Sequence, residues 1–326
     1  MEKYIQTAPI LIIVVLLVVG FTLLIKGADM FVDGSSSLAH FLKIPTIIVG
    51  LTVVAMGTSL PEAAVSATAS IANNNELAIS NAIGSNIFNL MIVIGICALF
   101  SPIIVGMDTI KRDIPISALC AILLIGMGFI NLKITGTMLS LERWSGIVLI
   151  VLFALYIINM IRLAYKGVEV AGEEVPDPVS LPKSLIFIII GGLFIALGGD
   201  LTVDVAARIA SEFGMSQTLI GLTIVSIGTS LPELITSIVA AKKKELDLAL
   251  GNAIGSNVFN ILMVLGIATS ISPIEIIPHN IIDIVILLIF TLIVWIFSIT
   301  KREISRKEGI IMIALYVLYF IYINIR

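Results

Sequence analysis

Ten stretches of apolar residues, most of them about as long as a bilayer core is thick, run along this chain of 326 residues. A helix needs about 20 mainly apolar residues to cross the hydrocarbon core of a membrane. The pattern therefore predicts an all-α polytopic membrane protein with ten transmembrane helices. The first stretch is interpreted as a retained span, because polar Asp29 and Asp33 follow it in place of a clear cleavage site. The stretches lie near residues 8–26, 45–71, 76–100, 114–130, 145–163, 184–206, 216–241, 247–271, 281–299 and 309–325.

Two polar motifs interrupt the apolar stretches, and both occur twice. Residues 57–62, Gly-Thr-Ser-Leu-Pro-Glu, recur unchanged as residues 228–233. Residues 81–89, Asn-Ala-Ile-Gly-Ser-Asn-Ile-Phe-Asn, recur as residues 252–260 with one Ile replaced by Val. Both repeats have the same offset of 171 residues. Carboxylates and prolines are costly inside a membrane, so such motifs mark an ion or substrate pathway by default.

The constant offset divides the chain into two halves of five spans each. Because five is odd, the second half must cross the membrane with the opposite polarity to the first, as in transporters built from inverted repeats, whose sites lie at the repeat interface near the bilayer midplane. We predict a first repeat at residues 1–163 and a second at residues 184–326. The polar segment 164–183 between them is predicted to be a cytoplasmic linker, too short for a folded domain.

Basic residues indicate the orientation of the spans. With the N-terminus outside, fourteen of the nineteen Lys and Arg residues fall on the cytoplasmic side. This predicts a multi-pass protein of the plasma membrane with both termini outside. The lysines at 242–244 are interpreted as part of this positive-inside anchor. Asp29 and Asp33 recur as Asp200 and Asp204 near span ends, where we predict capping or salt bridges rather than transport.

Pro61 and Pro232 predict a break in each helix that carries the first motif. A proline cannot donate to the carbonyl four residues earlier, here that of Gly57 or Gly228, and its ring crowds that carbonyl. We expect the first helix to open around residues 55–59 and to expose backbone oxygens. Irregular backbone at membrane depth is tolerated where it lines a cavity or is buried in protein.

Glu62 and Glu233 follow the two prolines directly, so inverted helices would bring two carboxylates together. Hydroxyls of the same motif and bare carbonyls complete an all-oxygen set, which suits Ca²⁺ or Na⁺ and argues against Zn²⁺ or Cu²⁺. The hydroxyls belong to Thr58, Ser59, Thr229 and Ser230. The second motif adds a stripe of neutral oxygens on one helix face in each half, at Asn81, Ser85 and Asn89, and at Asn252, Ser256 and Asn260.

Each motif taken alone has a plain structural explanation. Ser-Leu-Pro-Glu is a plausible helix start, and Asn and Ser in membrane helices often serve only packing. The repetition of the whole pattern at constant spacing favours an ion site at Glu62 and Glu233. Cys97 and Cys120 are interpreted as small buried apolar residues.

The duplicated motifs resemble the two alpha repeats of the sodium/calcium exchanger family, within the cation/calcium exchanger superfamily. The resemblance covers essentially the whole chain, with ten spans, a five-plus-five inverted repeat and a short central loop, as in the prokaryotic members. It implies secondary active antiport, in which Na⁺ entry drives Ca²⁺ extrusion by alternating access, with spans 1 and 6 moving against the core of spans 2, 3, 7 and 8. A single chain would suffice, and no cofactor or nucleic-acid partner is expected.

The resemblance also implies a role for individual positions. Glu62 and Glu233 would be the carboxylates shared by Ca²⁺ and Na⁺, and the main-chain oxygens of Thr58 and Thr229 would complete the Ca²⁺ site. One flanking Na⁺ site would comprise Ser59, Ser85 and the carbonyl of Ala55. The other would comprise Ser230, Ser256 and the carbonyl of Ser226. The two central positions would be Asn89 and Asn260.

Three alternatives remain at this point. Some relatives carry Asp at one of the two central positions, so Asn at both leaves the use of K⁺ as a co-ion open. A proton/Ca²⁺ antiporter of the same fold would share the Glu pair. A passive cation channel is disfavoured because channels usually collect ligands from several subunits. An enzyme is not expected, because the two Glu lack a neighbouring nucleophile.

Overall fold

The computed structural model describes residues 9–136, 139–165, 180–215 and 226–325, which are mostly helical. Within these ranges, eight helices are long and apolar enough to cross a membrane, and a bent pair of helices can supply a ninth. Most of the predicted linker 164–183 and the first part of the predicted seventh span, residues 216–225, lie outside the described residues. The all-helical membrane fold is therefore confirmed.

The helices of the first half overlap the five predicted spans, although the first helix extends beyond its predicted end. The second of these spans is divided, and three helices contain a π-helical turn, at Gly50–Val54, Asn89–Val93 and Thr109–Asp113. The helices are α1 Ile10–Leu42, α2 Thr46–Thr58, α3 Leu60–Ile71, α4 Asn75–Phe100, α5 Thr109–Ile134 and α6 Arg143–Tyr165.

The described helices of the second half follow the same order. The α8 helix begins at the edge of the described residues, and α10 contains a π-helical turn at Asn260–Val264. The helices are α7 Leu181–Glu212, α8 Ser226–Thr229, α9 Leu231–Lys242, α10 Leu246–Ile271, α11 Pro278–Lys301 and α12 Arg306–Ile325.

The predicted end of the first span at residue 26 is wrong, because α1 continues to Leu42. Its polar second half lies against protein rather than lipid, and close packing on α7 supports it. A Cβ atom on Gly27 would lie 2.8 Å from the carbonyl oxygen of Gly191, and one on Gly34 would lie 2.7 Å from that of Ser184. Small residues allow such close approach of membrane helices. These pairings also show that α1 and α7 are antiparallel.

Four two-residue strands, which the hydropathy pattern did not predict, connect distant parts of the chain. Ile103 pairs with Ile304 in one antiparallel ladder, and Leu141 pairs with Ile274 in the other. Each ladder therefore joins a connection in the first half to one in the second. The strands are β1 Ile103–Ile104, β2 Ser140–Leu141, β3 Ile274–Glu275 and β4 Glu303–Ile304.

The centre of the molecule is formed by α4 and α10, which are the most deeply buried of the long described helices. Both carry the second polar motif, whereas few residues of α6 and α12 are buried. A helix that is buried on all sides belongs to the interior of a bundle. The two copies of the second motif therefore meet at the core of the protein.

Candidate functional site

The helix break predicted around residues 55–59 is confirmed at Ser59, which separates α2 from α3. Ser59 has φ −89° and ψ 11°, and the two helices meet at a bend of 47°. Ser230 separates α8 from α9 with nearly the same backbone angles, φ −92° and ψ 4°. Pro61 and Pro232 lie in the first turn of the following helix, where a missing N–H is tolerated.

The structure brings the two predicted carboxylates into one buried site. Glu62 and Glu233 lie in the first turns of α3 and α9, and both are 0% exposed. Each accepts a hydrogen bond from the break serine of the other half. Ser59 Oγ donates to Glu233 Oε1 at 2.6 Å, and Ser230 Oγ donates to Glu62 Oε1 at 3.2 Å. Each helix break thus donates a hydrogen bond to the carboxylate of the other half, across the centre of the protein.

The serines of the second motif extend this exchange between halves. Ser230 Oγ also lies 2.9 Å from Ser85 Oγ, and Ser256 Oγ lies 3.5 Å from Glu233 Oε1. The hydrogen bonds therefore join Ser59 and Ser256 through Glu233, while Ser85 and Ser230 lie around the other carboxylate. This differs from the grouping that the family resemblance implied, which placed Ser59 with Ser85. The difference arises because each break faces the carboxylate of the opposite half.

The two threonines and the first Asn of each stripe hold the breaks in place. Thr58 Oγ1 donates to Asn252 Oδ1 at 3.0 Å, and Thr229 Oγ1 donates to Asn81 Oδ1 at 3.3 Å. The Asn81 amide in turn donates to Ser66 Oγ at 3.0 Å and to the Glu62 carbonyl at 3.4 Å. Asn252 makes the equivalent bonds in the second half. These side chains therefore fix the orientation of the carboxylate-bearing turns.

Two further residues of the second motif, which were not among the predicted ligands, hold the central amides. Asn86 Nδ2 donates to the Asn257 carbonyl at 3.1 Å, and Asn257 Nδ2 donates to the Asn86 carbonyl at 3.2 Å. Asn89 Nδ2 donates to Asn257 Oδ1 at 3.3 Å, and Asn260 Nδ2 donates to Asn86 Oδ1 at 3.1 Å. Their presence at equivalent positions of both motif copies was the available sequence signal.

Four acceptor oxygens of this site remain without a hydrogen-bond partner among the described residues. They are buried side-chain atoms, namely Glu62 Oε2, Glu233 Oε2, Asn89 Oδ1 and Asn260 Oδ1. Burying a polar atom without compensation is costly, and most buried polar groups in proteins are bonded. Two carboxylate and two amide oxygens left unpaired in one buried centre fit a positively charged ligand.

Backbone irregularity surrounds the same centre. The π-helical turns of α4 and α10 begin at Asn89 and Asn260, and that of α2 ends directly before Ala55. The Ala55 carbonyl accepts from the Ser59 amide at 3.1 Å, and Ser226 is the first residue of α8. Single π-helical turns occur frequently at functional sites because they change the direction of side chains and carbonyls.

The donor set of this site suits hard cations. The buried carboxylates of Glu62 and Glu233 supply the charge of the centre, and within the described residues no group of three His, Cys, Asp or Glu side chains could hold a metal ion. Neutral oxygens complete the set, as alkali and alkaline-earth ions require. A cavity of about 300 Å³ beside the site is lined by Thr229 and both motif prolines, and by Asp200 on α7.

Comparison with known proteins finds a family that matches both halves of the chain. Residues 12–162 and 183–324 match the family described as sodium/calcium exchanger protein. The inner membrane protein YrbG of Escherichia coli K12 is 36% identical over 274 residues, covering 81% of each chain. The sodium/calcium exchanger MaX1 of Methanosarcina acetivorans is 29% identical, covering 94% of this chain and 97% of its own.

A solved structure shows that the similarity extends to the fold. The sodium-calcium exchanger NCX_Mj, soaked with Na⁺ and Sr²⁺, superposes with a TM-score of 0.82 at 33% sequence identity. The alignment covers 96% of this chain and 98% of that chain. Both halves of the chain are therefore included in the match.

Proposed function

This chain belongs to the sodium/calcium exchanger protein family, and on that premise we propose that it exchanges Na⁺ for Ca²⁺ by alternating access at one site shared by Glu62 and Glu233. The observation that carries the proposal is the set of four unpaired buried oxygens, two from carboxylates and two from Asn89 and Asn260. Two carboxylates balance one divalent ion, and neutral oxygens supply further ligands without adding charge. The family assignment makes the protein a transporter rather than an enzyme.

Na⁺ coupling is supported by the hydroxyl groups beside each carboxylate. Ser59 and Ser256 approach Glu233, and Ser230 approaches both Glu62 and Ser85. One carboxylate with two hydroxyls matches a monovalent ion better than a divalent one, because it carries a single charge. We propose two such Na⁺ sites flanking the Ca²⁺ position, with the carbonyls of Ala55 and Ser226 and the main-chain oxygens of Thr58 and Thr229 completing the ligands.

We further propose that the chain has ten transmembrane helices in two inverted repeats, in the plasma membrane with both termini outside. The reciprocal bonds between Asn86 and Asn257 support the repeat, because each makes the same bond to the other at an offset of 171 residues. The distribution of Lys and Arg supports the orientation. Cysteine labelling of loop residues in intact cells tests the sidedness.

Uptake of ⁴⁵Ca²⁺ into Na⁺-loaded proteoliposomes tests the central proposal. The proteoliposomes are diluted into Na⁺-free buffer at a pH that is equal on both sides. We expect uptake that requires internal Na⁺ and stops when the Na⁺ gradient is abolished. Uptake that ignores Na⁺ but follows an imposed pH gradient would assign the protein to proton/Ca²⁺ antiport. Rates well above about a thousand ions per second per protein would instead indicate a channel, since alternating access requires slow conformational steps.

Acid is expected to weaken Ca²⁺ uptake. Protons compete for the oxygens of Glu62 and Glu233 that the ion needs, so the half-saturating Ca²⁺ concentration should rise as the pH falls from about 8 to about 5.5. The measurement is initial uptake at equal internal and external pH, which removes any driving force from protons. A half-saturating concentration that stays constant across this range would contradict the competition.

Ser59→Ala is expected to weaken Na⁺ activation more than Ca²⁺ affinity. The hydroxyl lost is the one 2.6 Å from Glu233 Oε1, and its removal takes a neutral ligand from the proposed Na⁺ site. We expect the half-activating Na⁺ concentration to rise about threefold to tenfold, which corresponds to the loss of one ordinary polar interaction. Ser70→Ala, which removes a buried hydroxyl at the far end of α3, serves as the control. Equal effects of both variants would argue against a ligand role for Ser59.

A further inference from the structure

Lys243, directly after α9, connects the ion-binding core to the second half of α1. Its Nζ lies 2.7 Å from Asp29 Oδ1 and 2.6 Å from Asp33 Oδ1, and it also donates to the Asp29 carbonyl at 3.2 Å. Partial burial alone would lower the pKa of the Lys243 ammonium, but the two carboxylates outweigh this and raise it. The group therefore remains charged at any physiological pH. The prediction of a salt bridge for Asp29 and Asp33 is confirmed.

A second contact joins the same two elements one turn further along α1. Ser36 Oγ donates to Glu245 Oε1 at 2.5 Å. Glu245 is two residues beyond Lys243, in the loop that connects α9 to α10. We call this set of five residues the Lys243 clamp. It is more than a positive-inside anchor, because each of its bonds spans from α1 to the loop after α9.

The repeat offset shows that the clamp exists at one end only. Shifted by 171 residues, Asp29 and Asp33 become Asp200 and Asp204, so both halves keep the acidic pair. The other three clamp residues are replaced in the opposite half by residues that cannot make the same contacts. The counterparts of Ser36, Lys243 and Glu245 are Ala207, Ala72 and Asn74.

The two loops have the same backbone, so the difference lies in side chains. Ala72 has φ −79° and ψ 3°, and Lys243 has φ −83° and ψ 1°. The next residue is left-handed in both loops, with φ 58° at Asn73 and φ 67° at Lys244. A lysine at position 72 would therefore have the same backbone conformation as Lys243.

A cavity lies at the opposite end of the helix pair, where the clamp residues are replaced. Because α1 and α7 are antiparallel, the two acidic pairs lie at opposite ends of the pair. Asp200, Asp204 and Ala207 line the cavity of about 300 Å³ that reaches Thr229 and the motif prolines. The Lys243 clamp thus bonds one end of the α1–α7 pair to the loop after α9, and the other end lines a cavity beside Thr229.

We propose that the Lys243 clamp holds the cytoplasmic access path closed and biases the carrier toward the state that is open on the opposite side. The inference rests on the alternating-access function proposed above. Opening on the cytoplasmic side must move α1 relative to α9 and break four charge-assisted contacts. Opening on the other side breaks none of their counterparts. Since apparent affinity is reduced by the fraction of molecules in the competent state, the clamp lowers apparent Ca²⁺ affinity on the cytoplasmic side.

Hydrogen exchange measured by mass spectrometry in nanodiscs, without Na⁺ or Ca²⁺, tests the clamp independently of transport. In Lys243→Gln we expect the backbone amides of residues 29–42 and 243–250 to exchange at least about fivefold faster than in the wild type. An effect of this size lies within the usual range of coupling between conformational states. Lys244→Asn is the matched control, because it removes one charge from the same loop and installs the residue of the other half. Lys243→Arg keeps the charge and should exchange like the wild type.

The outcomes separate the clamp from the transport function. Exchange in Lys243→Gln that stays within about twofold of Lys244→Asn would overturn the proposal. In proteoliposomes, Lys243→Gln should lower the half-saturating Ca²⁺ concentration on the cytoplasmic side by a factor similar to the exchange effect, and an unchanged value there would also overturn it. If wild-type liposomes show no Na⁺-driven uptake, the antiport proposal fails, while the exchange data still decide whether the clamp holds α1.

Ala72→Lys tests the asymmetry from the other half. A lysine there should bond Asp200 and Asp204 and slow the exchange of residues 200–212, with a higher half-saturating Ca²⁺ concentration on the outer side. Exchange that is not slowed would contradict the claim that the missing lysine distinguishes the two ends. Unlike a loss of function, this result cannot arise from misfolding.

Discussion

Glu62→Gln and Glu233→Gln are each expected to reduce Na⁺-driven Ca²⁺ uptake to the level of empty liposomes. Each change removes one of the two charges that balance the ion, and leaves a divalent cation buried with a single carboxylate. Breaking a buried charge pair costs about 3–5 kcal/mol, so Ca²⁺ affinity should fall by about a hundredfold or more. Isothermal titration of the purified variants measures that affinity separately from transport.

The carboxylate prediction has a matched control on the neighbouring helix. Glu76 lies in the first turn of α4 and is exposed, so Glu76→Gln removes the same charge from the same type of position without touching the site. We expect it to transport like the wild type. Retained Ca²⁺ binding in Glu62→Gln or Glu233→Gln, with normal thermal stability, would place the ion elsewhere in the protein.

Gly255→Ala is expected to destabilise the protein and to impair transport, although it adds a single methyl group. A Cβ at this position of α10 would lie 2.6 Å from the carbonyl oxygen of Leu51, and 2.8 Å from the Cβ of Ala55. Both partners belong to rigid helix, so α2 must move away from the buried core. Overpacking of this kind costs about 1–3 kcal/mol, and here it displaces the segment that carries Thr58.

Gly126→Ala provides the comparison for Gly255→Ala. A Cβ at Gly126 of α5 would meet no described atom within 4 Å, and Ala is favoured over Gly inside a helix by about 1 kcal/mol. This variant should melt at or above the temperature of the wild type. A melting temperature of Gly255→Ala equal to that of Gly126→Ala would show that α2 and α10 are not in close contact at Gly255.

The sequence was sufficient to predict the features that repeat or that lipid imposes. The length of an apolar stretch predicts a helical span, because a backbone without hydrogen bonds has a high free energy in the hydrocarbon core. The duplicated motif predicted the break at Ser59 and the location of two carboxylates in it, since proline chemistry is local. Burial of both Glu side chains was predicted from the same pattern. A carboxylate that recurs at a fixed offset in both halves of a membrane protein is expected to meet its counterpart inside the protein.

Features that depend on contacts between distant segments could not be predicted. Hydropathy ended the first span at Lys26, because the pattern contains no information that Lys243 neutralises the acids further along α1. The crosswise bonding of Ser59 to Glu233 depends on how two breaks face each other, which motif spacing does not specify. No particular amino-acid composition marks the π-helical turn at Asn89, and the two-residue strands are too short to show an alternation of apolar and polar residues.

The reciprocal bonds between Asn86 and Asn257 have an evolutionary consequence. Each half donates to the other half the same hydrogen bond that it accepts. Two identical chains related by a twofold axis would make the same contact, as in a dimer with an isologous interface. A half-length ancestor could therefore have built the whole ion site as a homodimer with its subunits inserted in opposite directions. Such a dimer cannot distinguish the two faces of its membrane. In a fused chain, positions such as 72 and 243 are free to differ, and the two faces of the carrier can then bind the same ion with different apparent affinities.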